Sequence, residues 1–244
     1  MRIPVIRGVI DRRILVNFRV EAEVLARLLP PPFRPQTVRG YGMAGICLIR
    51  LKGIRPRWLP AVMGIASENA AHRIAVEWNE DGQTRCGVYI PRRDTSSRLN
   101  AAAGGRLFPG EHHRARFEVD EHDERYHVEM TSLDGSAHVL VEGDTAEALP
   151  EDSVFDSVAA ASAFFEQGSL GYSPSGGAGR YDGLELRSRN WSVAPLAIRR
   201  VQSSFFDDRA SFPAGSIALD NALLMRGIDH EWHGRDTLCC AAPS

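Results

Sequence analysis

The sequence is almost without lysine, since Lys52 is the only one and every other basic side chain is arginine. A guanidinium group stays protonated, so Lys52 is the only side chain that could act as an amine nucleophile. Cysteine is also scarce, and four in 244 residues are too few for a disulfide framework. The chain is therefore expected to depend on a hydrophobic core rather than on cross-links.

Long apolar runs are missing as well. None approaches the roughly 20 residues needed to cross a bilayer, and the first residues have no signal-peptide pattern. A net charge of −2 argues against a nucleic-acid or anionic-membrane partner. We therefore expect a cytoplasmic protein that binds neither nucleic acid nor membranes.

Several catalytic motifs are absent. The sequence has no Gly-x-Ser-x-Gly elbow, no phosphate-binding Gly-x-x-x-x-Gly-Lys and no dinucleotide glycine fingerprint. These absences argue against a serine hydrolase of the usual type, a nucleotide-binding enzyme and a Rossmann enzyme.

The histidines do not form a recognised metal motif. His230 and His233 are three residues apart and His112 adjoins His113, whereas a zinc-protease helix has histidines at i and i+4. No metal or other cofactor is predicted. A metal site using His230, His233 and His112 stays open as an alternative, although a further clear ligand is not evident.

Alternating polar and apolar residues indicate many β-strands. Strands are predicted at 14–20, 43–51, 72–78, 84–90, 113–119, 125–133, 136–142, 196–206 and 216–225, and helices at 21–29, 95–103 and 153–167. Turn sequences at 79–82 and 134–135 predict hairpins between the strands that flank them. This pattern predicts an α+β, mostly β fold with a curved antiparallel sheet or barrel. We expect one domain over 1–244, with a flexible tail from about 234, and a surface connection rather than a lid at 168–183.

Two polar segments could carry chemistry. Glu68 and His72 lie in the polar stretch 67–73, which leads into a predicted strand, and would form an acid–base pair if both face a pocket. Otherwise they belong to a solvated loop. Arg92 and Arg93 precede a predicted helix start, where a carboxylate or phosphate would fit. Alternatively, Asp94 and its neighbours only cap that helix.

Particular stretches of the chain carry a family resemblance. VNFRVE at 16–21 and LARLLP at 25–30 resemble the opening of acetoacetate decarboxylase. GVYIPRRD at 87–94 and DNALLMRG at 220–227 resemble the YqjF-like family of uncharacterised conserved proteins more closely. That family belongs to the acetoacetate-decarboxylase-like superfamily, and the resemblance extends over nearly the whole chain.

The resemblance implies a cone-like antiparallel barrel with an interior pocket. In the decarboxylases a lysine in the cone forms a Schiff base, and an arginine and a glutamate complete the pocket. Arg12 or Arg13 stands near the arginine's place and Glu68 in the glutamate's. The lysine's place falls within 104–109, which has no lysine. Arg106 could bind an anion there but cannot form an imine, which leaves Lys52 as the only substitute.

Two functional hypotheses follow. In the first, Arg12, Arg92, Arg93 and Arg106 hold a small organic acid inside the cone, and Glu68 or His72 acts as acid or base. This is not a lysine Schiff-base decarboxylase of the usual type. In the second, the chain is a non-catalytic binding or interaction protein that retains the scaffold. Homo-oligomerisation is left open.

Overall fold

The computed structural model describes residues 4–104 and 109–240. Within them, strands predominate over three short α-helices. In chain order the elements are β1 (Ile6–Glu21), α1 (Ala22–Leu28), β2 (Arg34–Pro35), β3 (Thr37–Val38), β4 (Tyr41–Pro56), a 3-10 helix (Ala61–Met63), β5 (Ile65–Glu80), β6 (Gln83–Thr95), α2 (Arg98–Ala103), β7 (His112–His122), β8 (Arg125–Ser132), β9 (His138–Thr145), α3 (Val158–Gln167), β10 (Leu170–Pro174), β11 (Arg180–Ser188), β12 (Ala194–Ser203) and β13 (Ile217–Cys239).

Seven strands close into a ring. The order is β13, β1, β4, β5, β6, β10 and β11, and β11 pairs again with β13. Most of these pairings are antiparallel, and the pairing of β6 with β10 is parallel. The predicted mostly β, α+β class with a curved sheet that closes on itself is therefore confirmed. The single-domain prediction stays a prediction.

The same long strands have two buried faces. On one face β1, β4 and β5 pack against the sheet made by β7, β8, β9 and β12, around residues such as Ile14, Val128 and Val141. On the other they pack against α3 and β11, around residues such as Leu15 and Phe165. Because successive side chains of a strand point to opposite faces, each strand supplies both cores.

Two predicted hairpins are confirmed. Asp81 and Gly82 join β5 to β6 with φ values of 50° and 75°, as a type I′ turn requires at both central positions. Asp134 and Gly135 join β8 to β9, and Gly135 has a φ of 71°. Glycine adopts this left-handed backbone conformation without the strain that a Cβ atom would bring.

Two predicted helix starts are wrong. α2 begins after Ser97, whose side chain accepts from Asn100 N, because Asp94 is still in β6 and pairs with Arg92. α3 begins after Ser157 rather than at Ser153. The Ser153 hydroxyl and the following backbone N–H bind the buried carboxylate of Asp220 and hold that segment outside the helix.

Three predicted irregular segments are strands instead. The polar stretch 67–73 lies inside β5, the segment 168–183 contains β10 and the start of β11, and the tail predicted to be flexible from 234 is part of β13 up to Cys239. β11 pairs with both β10 and the end of β13. Backbone hydrogen bonds to strands distant in the chain stabilise these segments. The side-chain composition of the segments does not reveal this pairing.

No helix in the described part of the chain is both long and apolar enough to span a membrane.

Candidate functional site

A cavity lies inside the ring of strands, and every strand of the ring contributes to its lining. The volume open to the centre of a water-sized sphere is about 150 Å³. Aliphatic side chains of β4, β6 and β11 form much of its wall. The polar lining includes Arg13, Arg73, Arg93 and His112.

One row of paired residues crosses the floor of this cavity. Cys47 on β4 is paired with Ala71 on β5, and Ala71 is paired with Arg93 on β6. All three residues line the cavity. The short side chain of Ala71 leaves space between the sulfur of Cys47 and the guanidinium group of Arg93.

Arg13 and Arg73 flank this row on opposite sides. Arg13 on β1 is paired with Ile49, two residues beyond Cys47 on β4, and Arg73 lies two residues beyond Ala71 on β5. Diagonal neighbours on one face of a sheet are about 7–8 Å apart, within reach of long side chains. The sheet therefore arranges three guanidinium groups around Cys47.

None of the three arginines forms an ion pair with a carboxylate of residues 4–104 or 109–240. Their hydrogen-bond acceptors are Cys47 Sγ for Arg13 Nε at 3.3 Å, Asn17 Oδ1 for Arg73 Nη2, and Ser173 Oγ for Arg93 Nε at 3.1 Å. Arg13 Nη1 and Arg73 Nε are buried without an acceptor in this part of the protein. Buried charges are normally paired, so this cluster has unused capacity for an anion.

Burial sets the pKa values of these groups. It lowers the pKa of Arg73 to about 10 and that of Arg93 to about 10, and in Arg73 the nearby positive charge of Arg13 adds to the effect. Both side chains are still cationic at pH 7. A bound carboxylate would stabilise the protonated form of both side chains and offset the effect of burial.

His112 also lines the cavity, next to Arg93 on the adjoining strand. Its Nδ1 donates to the carbonyl oxygen of Gly110 at 3.1 Å. Burial lowers the pKa of His112 to about 4, and the positive charge of Arg93 acts in the same direction. The imidazole of His112 is therefore neutral at pH 7.

The predicted residues Arg12 and Glu68 are joined in an ionic network away from the cavity lining. Arg12 is fully buried and donates to Glu68 at 2.6 Å and to Glu121 at 2.6 Å. Arg50 contacts the same two carboxylates at 2.5 Å and 2.9 Å. Both Glu68 oxygens are therefore occupied by arginines of neighbouring strands.

His72 lies on the other face of β5 from Arg73. It is fully buried, its imidazole ring packs against Phe205 and Phe206, and its Nε2 lies 3.2 Å from Ser203 Oγ. Burial, with a smaller effect from the charge of Arg92, lowers the pKa of His72 to about 3. The acid–base role of Glu68 and His72 stays a prediction, and the structure does not place the pair in the cavity.

The structure gives the remaining residues that were predicted to bind an anion different surroundings. Arg92 forms a two-pronged contact with the buried carboxylate of Asp94 at 2.8 Å and 2.9 Å. Arg93, the next residue, points into the cavity. Arg106 lies outside the described residues. Lys52 is 57% exposed and pairs with Asp11 at 2.9 Å, so the only lysine is on the surface.

In the described part of the chain, the histidines of the metal hypothesis do not converge with other ligands. Within the described ranges, no group of three or more His, Cys, Asp or Glu side chains could hold a metal ion. His230 packs against Trp232 with ring centroids 4.5 Å apart, and His233 contacts Glu231 at 3.1 Å.

Sequence reasoning missed Arg73 and Cys47. The signal was present in the alternation of β5, where Asn69, Ala71 and Arg73 share one face and Glu68 and His72 the other. Because the segment was interpreted as a loop, this period of two was not applied to it. Once the strand is extended to Ile65, the pattern groups Asn69, Ala71 and Arg73 on one face.

Similar folds occur in solved structures. Acetoacetate decarboxylase from Legionella pneumophila has a TM-score of 0.60 at 10% identity, over 97% of this chain and 87% of that one. An acetoacetate-decarboxylase-like enzyme from Sphingomonas wittichii has a TM-score of 0.59 at 11% identity, over 99% and 94%. The enduracididine biosynthesis enzyme MppR, complexed with pyruvate, has a TM-score of 0.59 at 10% identity, over 95% and 88%.

These similarities establish the fold, and the predicted acetoacetate-decarboxylase-like scaffold is confirmed. No match was found among curated proteins. A family model described as an uncharacterized conserved protein matches residues 10–216. The chain therefore belongs to the DUF2071 family.

Proposed function

We propose that this protein binds a small organic acid inside the ring of strands, with Arg13, Arg73 and Arg93 holding its carboxylate. The observation that carries the proposal is that these three arginines line one cavity and none pairs with a carboxylate of the described residues. Planar guanidinium groups match a carboxylate with two parallel hydrogen bonds. Among the residues predicted from sequence to bind an anion, Arg93 is retained in this site.

The size and lining of the cavity limit the ligand. A cavity of about 150 Å³ is of the size that accommodates benzene in an engineered protein, so we expect about six non-hydrogen atoms. The aliphatic wall suits a short hydrocarbon chain, because burying apolar surface is favourable. A short monocarboxylate with one further polar group, such as a 2-oxo acid, meets both conditions. The complex of MppR with pyruvate supports this class by analogy of fold.

Calorimetric titration with pyruvate and with its neutral methyl ester tests the charge requirement. We expect Arg73→Met and Arg93→Met each to weaken pyruvate binding by about tenfold to a hundredfold, the equivalent of one hydrogen bond to a charged group. Arg116→Met, at an exposed position of β7, serves as the matched control and should bind as the unsubstituted protein does. Equal affinity for the ester and the acid would exclude the arginine site.

A stability measurement separates lost binding from lost folding. Arg73 is 5% exposed and its pKa is lowered by burial, so its charge destabilises the ligand-free fold. Because no carboxylate of the described residues pairs with Arg73, replacing it with an apolar residue removes the desolvation cost of its charge. Arg73→Met should therefore unfold at a urea concentration equal to or above that of the unsubstituted protein, while pyruvate no longer stabilises it.

The same site could bind its ligand with or without turning it over. His112 is a neutral base beside Arg93, so the enzymatic form of the proposal includes proton removal next to the carbonyl of the bound acid. Incubation with pyruvate in D₂O, followed by NMR of the methyl group, distinguishes the two. Accelerated exchange that is lost in His112→Gln would indicate catalysis. Binding without exchange would favour the non-catalytic alternative.

A further inference from the structure

We propose that Cys47 is a nucleophile of this cavity, placed to form a covalent bond with an electrophilic carbon of an anion held by Arg13, Arg73 and Arg93. The inference rests on the proposed function, because it takes the arginine cluster as the anion site. It adds a chemical requirement, which is that the ligand is a small carboxylate bearing a carbonyl or another electrophilic carbon near its charge.

The position of Cys47 suits attack on an anion bound by the three arginines. Cys47 is 7% exposed, lines the cavity and occupies the middle of the three arginines. Arg13 Nε donates to its sulfur at 3.3 Å. A carboxylate bound by the surrounding guanidinium groups would therefore be held against the sulfur, and holding two reactants in contact is a major source of rate enhancement.

Buried hydrogen-bond donors without an acceptor also indicate that the cluster binds an anion. Arg73 is only 5% exposed, it lines the cavity, and its Nε has no acceptor in the described ranges. Arg13 Nη1 is in the same condition. These donors are independent of the cysteine, and they require an acceptor that a bound anion would supply.

The surroundings of Cys47 differ from those of the other cysteines. Cys86 is paired across the sheet with Glu77, and burial together with the Glu77 carboxylate raises the pKa of Cys86. Burial, assisted by Cys239, also raises the pKa of Cys240. Reactive cysteines occur in electropositive surroundings. Of these positions, only Cys47 is surrounded by arginines.

The covalent step with a 2-oxo acid balances without a further reactant. Sγ of Cys47 attacks the carbonyl carbon and a sulfur–carbon bond forms. The π pair of the carbonyl moves to its oxygen, which takes up the proton that the thiol gives up. The product is a hemithioketal whose carboxylate stays on the arginines, and the reverse sequence releases the ligand.

Alkylation with a charged and a neutral reagent tests the inference. Iodoacetate and iodoacetamide both form a sulfur–carbon bond, break the carbon–iodine bond and release iodide and a proton. The ratio of their rates is measured at Cys47 and at Cys86 by peptide mass spectrometry. We expect this ratio to be at least about tenfold higher at Cys47, because a cationic pocket concentrates the anionic reagent.

Two further measurements strengthen the test. Arg73→Met should bring the Cys47 ratio close to that of Cys86, and excess pyruvate should protect Cys47 but not Cys86. With pyruvate labelled at its carbonyl carbon, NMR should show a tetrahedral carbon resonance that is absent in Cys47→Ser. Equal ratios at the two cysteines, or a Cys47 that reacts with neither reagent, would overturn the proposal.

Failure of this inference can be told apart from failure of the proposed function. If the unsubstituted protein binds pyruvate in calorimetry but Cys47 shows no preference for iodoacetate, the anion site stands and the nucleophile is rejected. If neither pyruvate binding nor a preference for iodoacetate is found, both are rejected.

Discussion

Replacing Arg12 with methionine is expected to lower the free energy of unfolding by about 3–5 kcal/mol, the usual result of breaking a buried ion pair from one side. Arg12 has no exposed surface and contacts Glu68 and Glu121 at 2.6 Å each. The two carboxylates are only 16% and 15% exposed. Without Arg12 both carboxylates keep Arg50, and Glu121 also keeps the half-exposed Arg226 at 3.4 Å, but Glu68 loses the partner of one of its two oxygens.

Urea denaturation of the purified variant measures this effect, and Lys52→Met provides the comparison. Lys52 forms an exposed ion pair with Asp11, and such pairs contribute only about 0–1 kcal/mol. A stable Arg12→Met protein that no longer binds carboxylates would instead support the sequence-based prediction that Arg12 holds the anion. Lost stability with retained pyruvate binding would assign Arg12 to the fold.

The second large effect is expected in the pH dependence of stability. His72 has a pKa of about 3 in the folded protein, against an ordinary value of 6.5. Between these values the unfolded chain binds a proton that the folded chain does not, so lowering the pH favours unfolding. His72 should therefore reduce the free energy of unfolding by about 2 kcal/mol between about pH 7.5 and about pH 5.

Removing His72 should remove this part of the acid sensitivity. His72→Leu keeps an apolar side chain against Phe205 and Phe206, and its loss of stability between the two pH values should be smaller by about 2 kcal/mol. His122→Leu, at an exposed position on β7, controls for the removal of a histidine. If His72→Leu and the unsubstituted protein lose stability equally, His72 takes up a proton in the folded protein as readily as in the unfolded chain. That result would support the predicted acid–base role of His72.

These predictions separate two groups of arginines that are alike in sequence. Arg12 has two carboxylate partners, whereas Arg13, one residue later, has none in the described ranges. Arg92 and Arg93 are divided in the same way. Paired arginines hold strands together, and unpaired ones remain available to a ligand. A protein that retains buried charge without partners sacrifices stability, as functional sites commonly do.

Part of this molecule was determined by the sequence alone. Alternating residues identified the strands in β1, β4, β8 and β9, and Asp81-Gly82 and Asp134-Gly135 marked two hairpins, because these signals act between neighbours in the chain. The single lysine excluded a Schiff base at positions 104–109. Local chemistry was sufficient for each of these conclusions.

Only the tertiary structure decided which face of each strand meets the cavity. A period of two shows that Arg12 and Arg13, or His72 and Arg73, point to opposite sides, but it does not say which side is inside the ring. That choice depends on the pairing of β1 with β13 and on closure through β10 and β11, strands far apart in the chain. A one-residue change in register would exchange the two sets, so the site is a product of long-range pairing.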